Sequence, residues 1–121
     1  MALVLIVDDS PTDVHVMQKA LEQNGFRTAS AADGSEAIRK ARELHPDLIL
    51  MDIVMPGVHG FQATRQLAND PETRSIPVIM VTSKAQESDR VWGLRQGAVD
   101  YLVKPVATEQ LVQKAQAALA G

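Results

Sequence analysis

The chain has 121 residues, 45% of them hydrophobic and 22% charged, with no cysteine and a formal net charge of −3 at pH 7. That length suits one domain with its own core, and that mix excludes a disordered chain and a membrane-spanning one. Without cysteine there are no disulfides, iron–sulfur clusters or thiolate zinc sites, so nothing points to secretion and the cytoplasm is the expected compartment. Twelve Lys and Arg stand against fifteen Asp and Glu with no basic run, which leaves no footprint for direct binding to nucleic acid.

The apolar start MALVLIV runs straight into Asp8 and Asp9, without a basic leader or a small-residue cleavage site, so it reads as a buried strand, Leu3–Val7, rather than a signal peptide. Ser10, Pro11 and Asp13 then form a helix start with proline at the first helical position. Val14, Met17 and Leu21 line one face of that helix, and Asn24 and Gly25 end it. A second strand spans Arg27–Ala31. The second helix opens near Gly34 and Ser35, turns Ala37, Ile38, Ala41 and Leu44 inward, and stops before Pro46. The third strand is Leu48–Met51. Its helix carries Phe61, Thr64, Leu67 and Ala68 on one side and is ended by Asn69, Asp70 and Pro71. After the fourth strand, Val78–Thr82, Ser83 three residues before Gln86 predicts a capping box that opens a helix with Val91 and Leu94 inward. A fifth strand, Val99–Val103, precedes a helix with the stripe Leu111, Ala115 and Leu119.

Five strand–helix units in this length require an α/β fold with a mostly parallel sheet and helices on both faces. The first, third and fourth strands are apolar throughout, as strands buried on both sides must be, whereas Arg27–Ala31 is half polar and the last strand contains Asp100. Placing the two mixed strands at the edges gives the doubly wound, flavodoxin-like order 2-1-3-4-5, with its switch point between strands one and three.

Ligands of such sheets bind outside the carboxyl ends of the strands. There the sequence puts Asp8 and Asp9, then Asp52, then Thr82, then Lys104 and Pro105. Three carboxylates crowded at a switch point repel one another unless a cation sits among them. Oxygen-only ligands without cysteine or paired histidine favour Mg²⁺, which often shares its shell with a phosphoryl group. Lys104 supplies a positive charge for that group and Thr82 a hydroxyl, so the set reads as phosphoryl transfer. His15, His45 and His59 have no ligand spacing and are expected at the surface. Gly93 and Gly97 enclose Arg95, which excludes a membrane-helix motif. Trp92 is read equally as a partner anchor or as a packed core edge.

The pair Asp8-Asp9, the run Asp52-Ile53-Val54-Met55-Pro56 closed by Gly60, then Thr82, Tyr101 and Lys104-Pro105, together resemble the response-regulator receiver (CheY-like) family over the whole chain. The wording DIVMPGVHGFQATRQL and IPVIMVTSKAQESDRVWGLRQGAVDYLVKP is similar to that of stand-alone twitching-motility regulators of PilH type. The resemblance implies that Asp52 accepts a phosphoryl group from the phosphohistidine of a chemotaxis-type histidine kinase. Asp9 and Asp52 would then ligate Mg²⁺ with the backbone carbonyl of Val54, and Asp8 would help directly or through water. Lys104 would pair with the aspartyl phosphate, across a cis bond to Pro105. Thr82 and Tyr101 would be the switch pair, Tyr101 turning inward as Thr82 is drawn to the phosphoryl group. Such a protein is not an enzyme beyond its own phosphotransfer and slow dephosphorylation.

Three rivals share the fold. A flavin or nucleotide module lacks its glycine loop after the first strand, and an aspartate-nucleophile phosphatase needs an acid where Val54 stands. A phosphorylation-independent interaction module would not need the complete acid set. Nothing after the fifth helix is expected to form an output domain. The chain is therefore expected to act through a partner on the face of helix four, strand five and helix five, or as a phosphate sink for a shared kinase. Val54 and Lys84, which flank the phosphoryl position, predict slow loss of the phosphoryl group.

Overall fold

A computed structural model describes residues 1–121. Strands and helices alternate as β1 (Leu3–Val7), α1 (Pro11–Glu22), β2 (Arg27–Ala31), α2 (Gly34–Leu44), β3 (Leu48–Met51), α3 (Gly60–Asn69), β4 (Val78–Thr82), α4 (Glu87–Arg95), β5 (Asp100–Val103) and α5 (Thr108–Ala120). Every pairing is parallel and the order is β2-β1-β3-β4-β5, the flavodoxin-like order, with the two mixed strands at the edges.

The alternation of side chains along each strand divides the core into two layers. Leu5, Val7, Ile49, Met51 and Met80 face Ala37 and Ala41 of α2 and Ala63 and Leu67 of α3. Val4, Ile6, Leu48, Leu50, Ile79 and Val81 face Met17, Ala20 and Leu21 of α1 and Leu111 and Ala115 of α5. Burying each large apolar side chain contributes about 1.5–3 kcal/mol, so the three central strands are the firmest part of the molecule.

The helix starts differ in how they are made. Ser10 accepts the Asp13 N–H at 3.3 Å, with Pro11 at the first position, as expected for α1. At α2 the cap is Asp33, whose carboxylate accepts the Glu36 N–H at 2.8 Å, while Glu36 accepts the Ala32 N–H at 2.6 Å. The predicted Ser83–Gln86 box does not open α4. That helix begins at Glu87 with Gln86 as its cap residue, and Ser83 lies exposed in the preceding loop.

Three predicted inward positions also face solvent, and one predicted strand residue falls outside its strand. Leu44 sits on the last turn of α2, and Ala68 lies beside the inward set Ala63, Thr64 and Leu67 of α3. Val91 points outward because α4 approaches the sheet through Gly93. A Cβ built there would stand 3.3–3.4 Å from Met80, Phe61 and Tyr101, so the helix lies close on a small residue and its larger neighbours turn away. Val99 precedes β5 rather than belonging to it: its N–H reaches Val78 O at 2.8 Å, but its side chain is exposed.

Candidate functional site

Asp8, Asp52 and Lys104 are each the first residue beyond a strand. Each still donates its amide to the last carbonyl of the neighbouring strand: Asp8 to Ala31 at 3.0 Å, Asp52 to Val7 at 2.9 Å and Lys104 to Thr82 at 2.8 Å. The sheet ladder therefore runs one residue past the strands and fixes the backbone of three site residues without using a loop. The loop after β3 is closed by Gly60, whose N–H reaches Ile53 O at 2.8 Å. A Cβ at that glycine would lie 1.9 Å from the Asp52 carbonyl oxygen, so no other residue fits.

Lys104 Nζ lies 2.6 Å from Asp8 Oδ2, 2.8 Å from Asp13 Oδ2 and 3.2 Å from Asp52 Oδ2. Asp8 and Asp52 are both buried, and each carboxylate has a backbone donor as well. The Ser10 N–H reaches Asp8 Oδ1 at 2.9 Å, and the Ile53 N–H reaches Asp52 Oδ1 at 2.7 Å. Burial pushes the Asp8 carboxyl above the ordinary range, against the lowering effect of Lys104 and the Ser10 N–H. Burial also works to lower the Lys104 pKa, but the hydrogen bonds to Asp13 and Asp8 and the charge of Asp52 prevail and hold it above the ordinary lysine value. The Lys104–Pro105 peptide is cis, as the resemblance implied.

Asp8, Asp9 and Asp52 can each offer one oxygen such that the three lie within 4.8 Å of one another. These are hard oxygen donors with no nitrogen or sulfur among them, and the one ammonium beside them, that of Lys104, contacts Asp8, Asp52 and Asp13. The residues present therefore suit an oxygen-seeking divalent cation such as Mg²⁺.

Thr82 is fully buried, and its hydroxyl accepts the Lys84 N–H at 3.3 Å. Tyr101 is 8% exposed, and its hydroxyl donates to Lys84 O at 2.8 Å. The ring of Tyr101 therefore sits inward, tied to the backbone two residues beyond Thr82. Burial, then the charges of Asp89 and Asp52, pushes its phenol up to about 12. The physical reason for the inward position is Gly93, which leaves room for the ring beneath α4.

All the residues expected at the site except Tyr101 lie at the carboxyl edge of the sheet or immediately beyond it, and Tyr101 joins them through Lys84. Val54 follows the site between the buried Ile53 and Met55, with its own side chain facing solvent. His15, His45 and His59 are exposed, and Trp92 is half exposed on α4 rather than packed at a core edge. Sequence reasoning missed Asp13. It was read only as part of a helix start, yet it holds Lys104 across 91 positions of chain. Its signal was its place one helical turn beyond the Asp8-Asp9 pair, where a side chain on α1 can lean over the crevice.

The family profile of the response regulator receiver domain matches residues 4–116. The chain is 55% identical to Protein PilH of Pseudomonas aeruginosa over 121 residues, covering all of both sequences. Among solved structures it is similar to chemotaxis protein CheY4 of Vibrio cholerae, with a TM-score of 0.92 and 33% identity over 98% of this chain and 99% of that one. It is equally similar, at a TM-score of 0.92 and 33% identity over 99% of this chain and 98% of the other, to the receiver domain of sensor histidine kinase PA1611 from P. aeruginosa, which was solved with a magnesium ion in its active site cleft. With the five-unit topology, the acidic cluster and the family profile all in agreement, this chain belongs to the response regulator receiver domain family of two-component signalling.

Proposed function

We propose that the chain is a phosphoacceptor that takes a phosphoryl group onto Asp52 from a chemotaxis-type histidine kinase, and thereby changes its binding to a protein partner. The observation that carries this reading is the convergence of Asp8, Asp9, Asp52 and Lys104 at one edge of the sheet. In the step, an Asp52 carboxylate oxygen attacks phosphorus. The new P–O bond forms as the P–N bond to the kinase imidazole breaks, and the bonding pair returns to that nitrogen. A carboxylate nucleophile has no proton to surrender, so the site needs no general base.

Asp8, Asp9, Asp52 and the Val54 carbonyl would hold Mg²⁺, which when bound supplies charge neutralisation to the phosphoryl oxygens. Lys104 pairs with those oxygens and keeps the attacked carboxylate oriented. Thr82 accepts the Lys84 N–H, so its own hydroxyl hydrogen is free to be donated to a phosphoryl oxygen. That engagement is passed through Lys84 to Tyr101, because both side chains bond the backbone of this one residue. The partner surface is the face of α4, β5 and α5, where Val91, Trp92, Val99 and Val103 are 40–55% exposed.

The likeness to PilH favours control of type IV pilus twitching as the pathway, with a cytoplasmic location. No helix is long and apolar enough to cross a membrane. The test is phosphotransfer from radiolabelled kinases of the same organism, with acetyl phosphate as a second donor. Asp52→Asn is expected to abolish base-labile label on this chain, and label persisting on that variant would overturn the assignment. Label that transfers and decays without changing the capture of any partner would favour a phosphate sink.

A further inference from the structure

Lys104 makes three short contacts to carboxylates, and the three partners differ in what else claims them. Asp8 and Asp52 belong to the oxygen cluster that suits a cation, whereas Asp13 does not. The longest of the three contacts, 3.2 Å, is the one to Asp52, and the Asp13 contact is shorter at 2.8 Å. Asp13 is also the most accessible, with 42% of its side chain exposed against 1% for Asp8 and 11% for Asp52. Its carboxylate caps nothing in α1, since the capping there is done by Ser10. A charged group that leans from a helix start onto the one cation of the site, with no other side-chain partner, acts on that cation.

We propose that Asp13 is a positioning residue that competes with the phosphoryl group on Asp52 for the Lys104 ammonium, so that it weakens the phosphorylated form. This rests on the reading of Asp52 as the phosphoacceptor. An ammonium has three donors, and all three are committed to carboxylates here. A cation among Asp8, Asp9 and Asp52 takes over the charge of Asp8, and the phosphoryl oxygens take over at Asp52. Asp13 is the only partner left that pulls Lys104 outward. The pull is modest because the contact is partly open to water, and partly exposed ion pairs of this kind shift an equilibrium by about two- to fivefold.

The test uses the full chain with Mg²⁺ and beryllofluoride, a phosphoryl mimic, measured by calorimetry. Asp13→Asn is expected to tighten beryllofluoride binding about two- to fivefold when Lys104 is present, and to leave it unchanged in a Lys104→Met background, because the effect is routed through that ammonium. An equal tightening in both backgrounds would mean that Asp13 acts only as a nearby negative charge, and no tightening in either would mean that it does not compete; both overturn the proposal. Should Lys104→Met fail to fold, Glu109→Gln removes a charge from an exposed residue of α5 that bonds no other side chain. Affinity raised as much by that change as by Asp13→Asn would equally overturn the proposal. Failure of the unaltered chain to bind beryllofluoride at all would instead strike the phosphoacceptor reading itself, and the competition with it.

Discussion

Replacing Gly60 by alanine should damage both the fold and the chemistry, because the added methyl has nowhere to go. The Cβ would fall 1.9 Å from the Asp52 carbonyl oxygen and 2.8 Å from both the Asp52 carbonyl carbon and Ile53 Cα, all of them backbone atoms that no rotamer change can move. Restoring ordinary contact needs a separation of more than an ångström, which breaks the 2.8 Å bond from the Gly60 N–H to Ile53 O. Overpacking costs about 1–3 kcal/mol and the lost backbone bond about 0.5–1.5 kcal/mol, so a destabilisation of roughly 2–4 kcal/mol is expected. Gly25→Ala is the control. Its φ of +90° makes alanine strained, yet nothing lies within 4 Å, and it should cost only about 1 kcal/mol. Urea unfolding of both variants gives the comparison. Under conditions where Gly60→Ala is still folded, its labelling by acetyl phosphate should fall at least tenfold, since a displacement of about 1 Å at a reacting group can cost about a hundredfold. Equal destabilisation by the two substitutions, or normal labelling of Gly60→Ala, would refute the argument that this close approach holds Asp52 in place.

Tyr101 is the only tyrosine, so ultraviolet titration reads it alone, and phenolate should appear near pH 12 rather than 10. Because the folded pKa is the higher one, the neutral hydroxyl's contribution to stability is whole below pH 10 and is lost as the pH rises towards 12; a midpoint near 10 would contradict the buried bond to Lys84 O. Asp70 titrates below the ordinary aspartate range, first because the Glu72 N–H bonds it and then because Arg42 does at 2.7 Å. Arg42→Ala should therefore raise the Asp70 pKa by NMR only part of the way back. The stability that this depressed pKa contributes is present above the ordinary value of 3.8 and fades as the pH falls through the folded value. Finally, a polar side chain at Val54 can orient an attacking water, and Lys84 no longer offers screening charge once replaced. Val54→Asn with Lys84→Glu should thus shorten the lifetime of labelled protein in Mg²⁺ buffer, and unchanged decay would show that water access at these positions does not set it.

The central strands were legible because a strand buried on both faces can be nothing but apolar, and Val4–Val7, Leu48–Met51 and Val78–Val81 all are. The edge strands were legible by the converse, and the site residues followed from the topology, since strand ends are counted directly along the chain. The start of α4 was not. The pattern at Ser83 and Gln86 is a sound local signal, but the carbonyl of Lys84, which a helix opening at Ser83 would point along its own axis, instead receives the Tyr101 hydroxyl from another strand. That contact spans 17 positions, and no local pattern records it. Asp13 was hidden for the same reason on a larger scale. Its partner is 91 residues away, and its local surroundings gave it a satisfactory role as a first-turn acid.

The amide bonds of Asp8, Asp52 and Lys104 to neighbouring strands place these residues in the same cooperative unit as the central sheet, so exposing any one of them to solvent exchange requires opening the ladder itself. The Thr82–Lys84–Tyr101 connection, by contrast, hangs on a loop and on a helix whose one fully buried residue is Gly93. Local unfolding of α4 and its loop can therefore occur while the carboxylates and the lysine stay assembled. The face that α4 presents can thus come and go while the acidic edge of the sheet stays in place, so a partner reading that face would sense how often α4 is seated as well as the state of the acidic edge.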